Sequence, residues 1–182
     1  MRSTKKLTIS AMSTALSSVI LLFSSLFGLM ELSVGAVASL LVVFVNIEVK
    51  GAYPWLVWLS TSLISLLLFP SKTIGAAYLT VFGIYPILKV YIERIPSRAM
   101  WLAVKLVYIS VVTLLFLFLS EMLLGVPFFE EVEGVAPTLQ GAVKAGMLAL
   151  IGIAFFAYDA FITVLVRLYF LKFREKFRRI LK

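Results

Sequence analysis

From Leu7 to about Met30 the chain carries no charged side chain, and that run limits its fold more than any other feature. A bilayer core about 30 Å thick is crossed by roughly 20 helical residues. In lipid the backbone must satisfy its hydrogen bonds within the segment, which favours helix. Comparable apolar segments recur, giving spans at about 7–30, 33–49, 52–69, 74–92, 99–124 and 141–170. The breaks fall at Met30-Glu31, Glu48 to Gly51, Phe69 to Lys72, Ile92 to Ser97, and a long stretch from Gly125 to Gln140. Glycine and proline gather there, as helix punctuation does. The connection between the second and third spans is so short that a re-entrant pair is the alternative to two full crossings.

Composition agrees with this pattern. The 182 residues are 62% hydrophobic and 14% charged, against about 45–50% and about 25% in a soluble domain. No polar stretch is long enough for a second, water-soluble domain, so residues 1–182 read as a single multi-span membrane domain. The first run also exceeds the roughly 7–15 apolar residues of a signal peptide, so it reads as a retained span.

Cysteine and histidine are both absent. Disulfides, thiol catalysis and imidazole chemistry are therefore excluded, and zinc and haem lose their usual ligands. A Ser-His-Asp hydrolase is excluded with them, and no GxxxxGK[ST] phosphate loop occurs. The expectation is a protein that is not an enzyme, with no catalytic residues, metal or cofactor. The net charge of +8 points to the membrane surface rather than to nucleic acid, because of where the cations fall.

Cytoplasmic loops of membrane proteins carry an excess of lysine and arginine. With the N-terminus cytoplasmic, Arg2, Lys5, Lys6, Lys50, Lys89, Arg94, Arg98, Lys105 and the seven basic residues from Arg167 onward are all inside, 15 of the 17. Only Lys72 and Lys144 stay outside, with Glu31, Glu121, Glu130, Glu131 and Glu133. Six transmembrane helices with both termini cytoplasmic satisfy this bias, in a cell membrane of bacterial plasma-membrane type. The tail from about 167 to 182 sets Phe170, Phe173, Phe177, Ile180 and Leu181 on one helical face and basic residues on the other. It reads as a basic amphipathic helix, either snorkelling against anionic lipid or docking a cytoplasmic partner.

A charge inside a span costs about 2.5–3.5 kcal/mol on insertion scales and therefore tends to face the protein interior. Asp159 is the clearest case, with Arg167 two turns on; Arg167, Lys89 or Lys105 can neutralise it. Its depth favours a polar clamp between helices over direct ligand contact. Pro86, inside span four, removes a backbone donor and predicts a kink, which Gly83 makes easier. Lys89 and Glu93 are spaced for a helical ion pair. In the connector of residues 125–138, Phe128 and Phe129 can lie on the membrane surface or close a pocket as a lid.

On the first span Ala11 and Ala15 are four apart and Ser18 continues their face, with Ser10, Thr14 and Ser17 beside it. Small residues let two helix backbones approach closely, and the strip can serve an internal partner or a second protein. The segment "KKLTISAMSTALSSV", residues 5–19, resembles the start of substrate-binding S components of energy-coupling factor (ECF) transporters. The motif-level match is confined to this first span, while size, span count and orientation agree over the whole chain.

The resemblance implies an all-α, S-component-like bundle in which Ala11, Ala15 and Ser18 dock a transmembrane coupling subunit and, through it, ATPase subunits. It implies an outer pocket built from spans four to six. That places Lys72, Tyr78, Glu121, Gln140 and Lys144 around a small-molecule substrate of anionic or zwitterionic character, as in vitamin uptake. Two other readings stand beside it: an MreD-like membrane scaffold, and a small secondary transporter with Asp159 as its proton site. The second lacks the obvious inverted repeats of many such folds.

Overall fold

The computed structural model describes residues 3–28, 30–124 and 137–173. Within them the chain forms α1 (Ser3–Phe27), α2 (Glu31–Glu48), α3 (Tyr53–Leu68), α4 (Lys72–Ile92), α5 (Arg98–Leu124) and α6 (Pro137–Leu168), which runs on as a π-helical turn, Tyr169–Phe173. No strand occurs among the described residues. Five of these helices are long and apolar enough to cross a membrane, and the chain is accordingly a multi-pass membrane protein. The exception is α3, whose 16 residues span about 24 Å at 1.5 Å per residue, short of the hydrocarbon core. The connector of residues 125–136 and the tail beyond residue 173 lie outside the described residues, and with them the lid and amphipathic-tail expectations.

Successive helices alternate in direction, and polar contacts mark both ends of the bundle. At one end Ser3 at the start of α1 meets Tyr53 at the start of α3 (3.5 Å), and Tyr169 donates to Glu48 at the end of α2 (3.1 Å). At the other, the Ser71 amide donates to Ser25 Oγ and its hydroxyl to Glu31, both at 2.8 Å. Both ends of the described chain therefore lie on the same face of the bundle. The turn between α2 and α3 is tight because Lys50 and Gly51 both take left-handed backbone angles, φ 60° and 73°. The second of these carries no steric cost, being glycine.

Along α1 the packing is mostly small and polar inside, large and apolar outside. The inward face of α1 is Ser10, Ser13, Ser17, Leu21, Ser24 and Ser25, at the three-to-four spacing of one helix side. It packs against α2 and α3, which answer with Ala38 and Ser39, and with Thr61, Ser62 and Ser65. Meanwhile Met12, Phe23, Phe27, Leu67 and Leu68 face outward. That inversion is the packing logic of lipid, where apolar side chains gain nothing by leaving the surface and small ones let backbones close up.

The axis is α4. From Ile74 to Lys89 no residue is exposed, and α4 packs against α1, α2, α3 and α5. Where Pro86 predicts a kink, α4 has a π-helical turn at Tyr78–Phe82, an interruption of the α-helical bonding at Gly83 and Ile84, and a restart at Tyr85. The Gly83 amide bonds Tyr78 O five residues back (2.8 Å), which leaves Leu79 O without its usual donor. Pro86 has no N–H to offer Phe82 O, four residues earlier.

Each loosened carbonyl receives a side chain from a neighbouring helix. Trp58 of α3 donates its indole N–H to Leu79 O (3.0 Å), and Tyr108 of α5 donates to Thr80 O (3.2 Å). Tyr158 of α6 stands 3.0 Å from Phe82 O and 2.8 Å from Ser39 Oγ. Ser39 spends its own proton on the Ala36 carbonyl (2.6 Å), so the Tyr158 hydroxyl is the donor to both Phe82 O and Ser39 Oγ. Asn46 of α2 bonds Pro86 O (3.4 Å). Gly83 also has a steric role: a Cβ there would lie 2.4 Å from Trp58 Cδ1, so any larger residue would push away the indole that bonds Leu79 O.

Removing a donor from this break strands a carbonyl in a place without water. Tyr158→Phe is expected to cost about 1–3 kcal/mol, the penalty of one buried unsatisfied group. The measurement is thermal unfolding in detergent. Tyr169→Phe, at the bundle end, is expected to shift the midpoint by less than half as much.

Candidate functional site

Just below the break, on the side of the α4–α5 turn, three helices bring four charged groups together. Asp159 of α6 accepts from Lys105 of α5 (2.5 Å, Oδ2), and its other oxygen takes Lys89 of α4 and the Tyr85 hydroxyl (2.5 Å). Lys89 also reaches the backbone oxygen of Asp159 (3.1 Å) and pairs with Glu93 one turn on (3.0 Å). Lys105 is fully enclosed and lies over the Trp101 ring, 3.6 Å from its centroid. Thr163 donates back to the Asp159 carbonyl oxygen (2.9 Å), securing the helix turn that presents the carboxylate. Two ammonium groups thus face two carboxylates, and the cluster is neutral as a whole.

Helical spacing explains why these residues meet. The buried positions of α5 are Lys105, Ile109 and Val112, and those of α6 are Phe155, Tyr158, Asp159 and Ile162. Both sets step by three and four, so each charge sits on the stripe that faces α4. Around them Tyr85 packs its ring on Phe155, Tyr108 and Tyr158, at centroid distances of 4.7, 5.3 and 5.8 Å. This aromatic layer separates the ion cluster from the π-helical turn above. Of the three cations the sequence offers to Asp159, the structure selects Lys89 and Lys105, while Arg167 is exposed. Both carboxylate oxygens of Asp159 are occupied, which suits a clamp better than a site that must exchange protons.

The residues expected around an outer pocket lie elsewhere. Lys72 is half-buried and donates to Leu67 O (3.3 Å) across the α3–α4 turn. Tyr78 is fully enclosed, its hydroxyl beside Ser17 of α1 and Thr61 of α3. Gln140 and Lys144 are half-buried in the first turns of α6. Glu121 falls in the last turn of α5, and its side chain is outside the described residues. From residue 139 to 154, α6 buries no side chain, and a Cβ added at Gly141, Gly146 or Gly152 would meet nothing within 4 Å. This half of the helix meets the bundle through half-buried positions, Ile151 among them packing on the core, whereas the half that follows is tied to α4 by buried side chains.

The strip on α1 divides in two. Ser10, Ser13 and Ser17 turn inward, with Ser17 donating to Ala38 O across the α1–α2 seam (3.3 Å). Ala11 and Ala15 are exposed, and Ser18 is half-buried at their edge. One small-residue face is therefore used by the chain's own helices and a second is left open.

The chain was compared with family models, curated proteins and solved structures, and none matches it.

Breaking the cluster from one side leaves uncompensated charge, which costs far more than the intact pair contributes. Asp159→Asn is expected to destabilise by about 3–5 kcal/mol and to lower the yield of folded protein on size-exclusion chromatography. Arg167→Gln is expected to leave both yield and melting temperature unchanged.

Proposed function

We propose that this protein is the substrate-capture subunit of an ECF-type importer, not an enzyme. Its six helices would lie in a bacterial plasma membrane, α3 as a short crossing, with both termini in the cytoplasm. A small nutrient binds on the outer side, and a separate coupling subunit grips α1 at Ala11 and Ala15, linking the protein to ATPase subunits that supply the energy.

The observation that carries the reading is the open alanine face of α1. A helix that already uses its serines to pack internally has no structural need for alanine at 11 and 15, where leucine would serve lipid equally well. The strip also lies in the first half of α1, toward the end where Lys50, Arg94 and Lys172 gather, as contact with a cytoplasm-proximal coupling helix requires. The loosely packed first half of α6 supports an outer binding cleft. It leaves room beside Gln140 and Lys144 for a ligand whose arrival would draw the helix in, with Lys72 and Glu121 at the same end of the bundle. Tyr78, fully enclosed between α1, α3 and α4, would take no part in such a cleft.

The full occupancy of Asp159 favours this reading over a proton-driven transporter. An MreD-like scaffold would need no outer cleft.

The test is copurification from the native host. The Ala11→Leu/Ala15→Leu variant is expected to fold normally and to lose the coupling subunit at least tenfold. Val37→Leu, on an exposed position of α2, is expected to keep it. Recovery of the complex at unchanged yield by the α1 variant would remove the proposal.

A further inference from the structure

We propose that the groove between α2 and α6 holds one anionic phospholipid from the leaflet at the Glu48–Tyr169 end of the bundle. Val43, Phe44 and Ile47 of α2 face Leu165, Val166 and Leu168 of α6 across an opening of about 240 Å³. The walls are hydrocarbon. Tyr169 closes the end, its ring edge-on to Phe44 at 6.0 Å and its hydroxyl on Glu48. Phenol–carboxylate contacts of this kind belong at the headgroup level, where one end of an aromatic is apolar and the other wet. The groove therefore runs from the hydrocarbon region up to the interface, along the path of an acyl chain.

Charge at its mouth selects the headgroup. Lys172 follows Leu168 by one turn and is exposed, and Lys50, just past the end of α2, is exposed as well. Among the described residues Glu48 is the carboxylate at this mouth, and Tyr169 engages it. Two ammonium groups against one carboxylate leave a net positive rim, which favours a lone phosphodiester over a zwitterionic headgroup. Arg167 steps to the far side of α6 from Leu165 and Tyr169, given 3.6 residues per turn, and takes no part. The cations of the tail, Lys176, Arg178 and Arg179, are the competing source of lipid attraction. This inference is independent of any role in transport.

The test is native mass spectrometry of the full chain in micelles containing equal amounts of phosphatidylglycerol and phosphatidylcholine with identical acyl chains. One phosphatidylglycerol per chain is expected to be retained, at least fivefold over phosphatidylcholine. In Lys50→Gln/Lys172→Gln the ratio is expected to fall to about one, with circular dichroism and melting temperature unchanged. Val43→Trp, which fills the groove, is expected to lower retention of both lipids. Lys176→Gln/Arg178→Gln/Arg179→Gln is expected to leave the preference intact. Three results would each overturn the proposal: no preference in the unmodified protein, a preference abolished by the tail variant alone, or retention undiminished by Val43→Trp.

Discussion

A carboxylate buried among apolar helices is tolerable only if its charge is met, and Asp159 is met twice. Lys89 approaches from α4 and Lys105 from α5, so the ions that make the site affordable to lipid also fix three helices at one level. Neither α5 nor α6 has much else to hold it. Among the described residues each fully buries a single narrow stripe, and residues 139–154 of α6 are at most half-buried. The cluster, its aromatic layer and the carbonyl bonds from Tyr108 and Tyr158 are what attach these two helices to α4.

The remaining helices solve a different problem by different means. α1, α2 and α3 close on one another through serine, alanine and glycine, which lets their backbones come near without large side chains between them. Glycine does the same for α2 against α4: a Cβ at Gly35 would lie 2.7 Å from the Phe82 ring. The molecule thus has a tightly closed side, built from small residues, and a looser side hung from charges and aromatic hydroxyls. α4 belongs to both, and its break lies where the two meet. A π-helical turn with a proline beyond it leaves carbonyls that regular helix would have satisfied, and the surrounding helices each supply one donor. That arrangement orders the bundle more tightly than apolar contact alone, because each donor has one acceptor within reach.

Much of this could be read from the residues. Run lengths and charge breaks gave the helices to within a few positions, because lipid thickness and backbone satisfaction leave few alternatives. Asp159 declared itself by being charged at depth, and Pro86 with Gly83 declared the break. What stayed hidden were the pairings across helices. Hydropathy assigns no partner to Asp159 among three lysines and arginines, and nothing in the periodicity of α3, α5 or α6 says that Trp58, Tyr108 and Tyr158 would reach backbone carbonyls of α4. The signal available was chemical: a proline in a lipid-embedded span requires a donor from elsewhere, and tyrosine and tryptophan are the apolar residues that carry one. The alanine strip was legible as small, but its split into an inward serine face and an outward alanine face depends on where α2 and α3 sit. The outer residues were the least legible, since their grouping came from likeness to a family and not from any spacing in the chain.

Whether Asp159 binds α5 to α6 as described is tested most directly by a double-mutant cycle. The stabilities of Asp159→Leu, Lys105→Met and the combined variant would be measured in the same micelles. If the two side chains form one buried pair, each single change strands the other's charge, and the double variant should be more stable than the sum of single costs by about 2 kcal/mol or more. Costs that simply add, within about 0.5 kcal/mol, would mean that the charges do not meet, and the attachment of α5 and α6 would need another explanation.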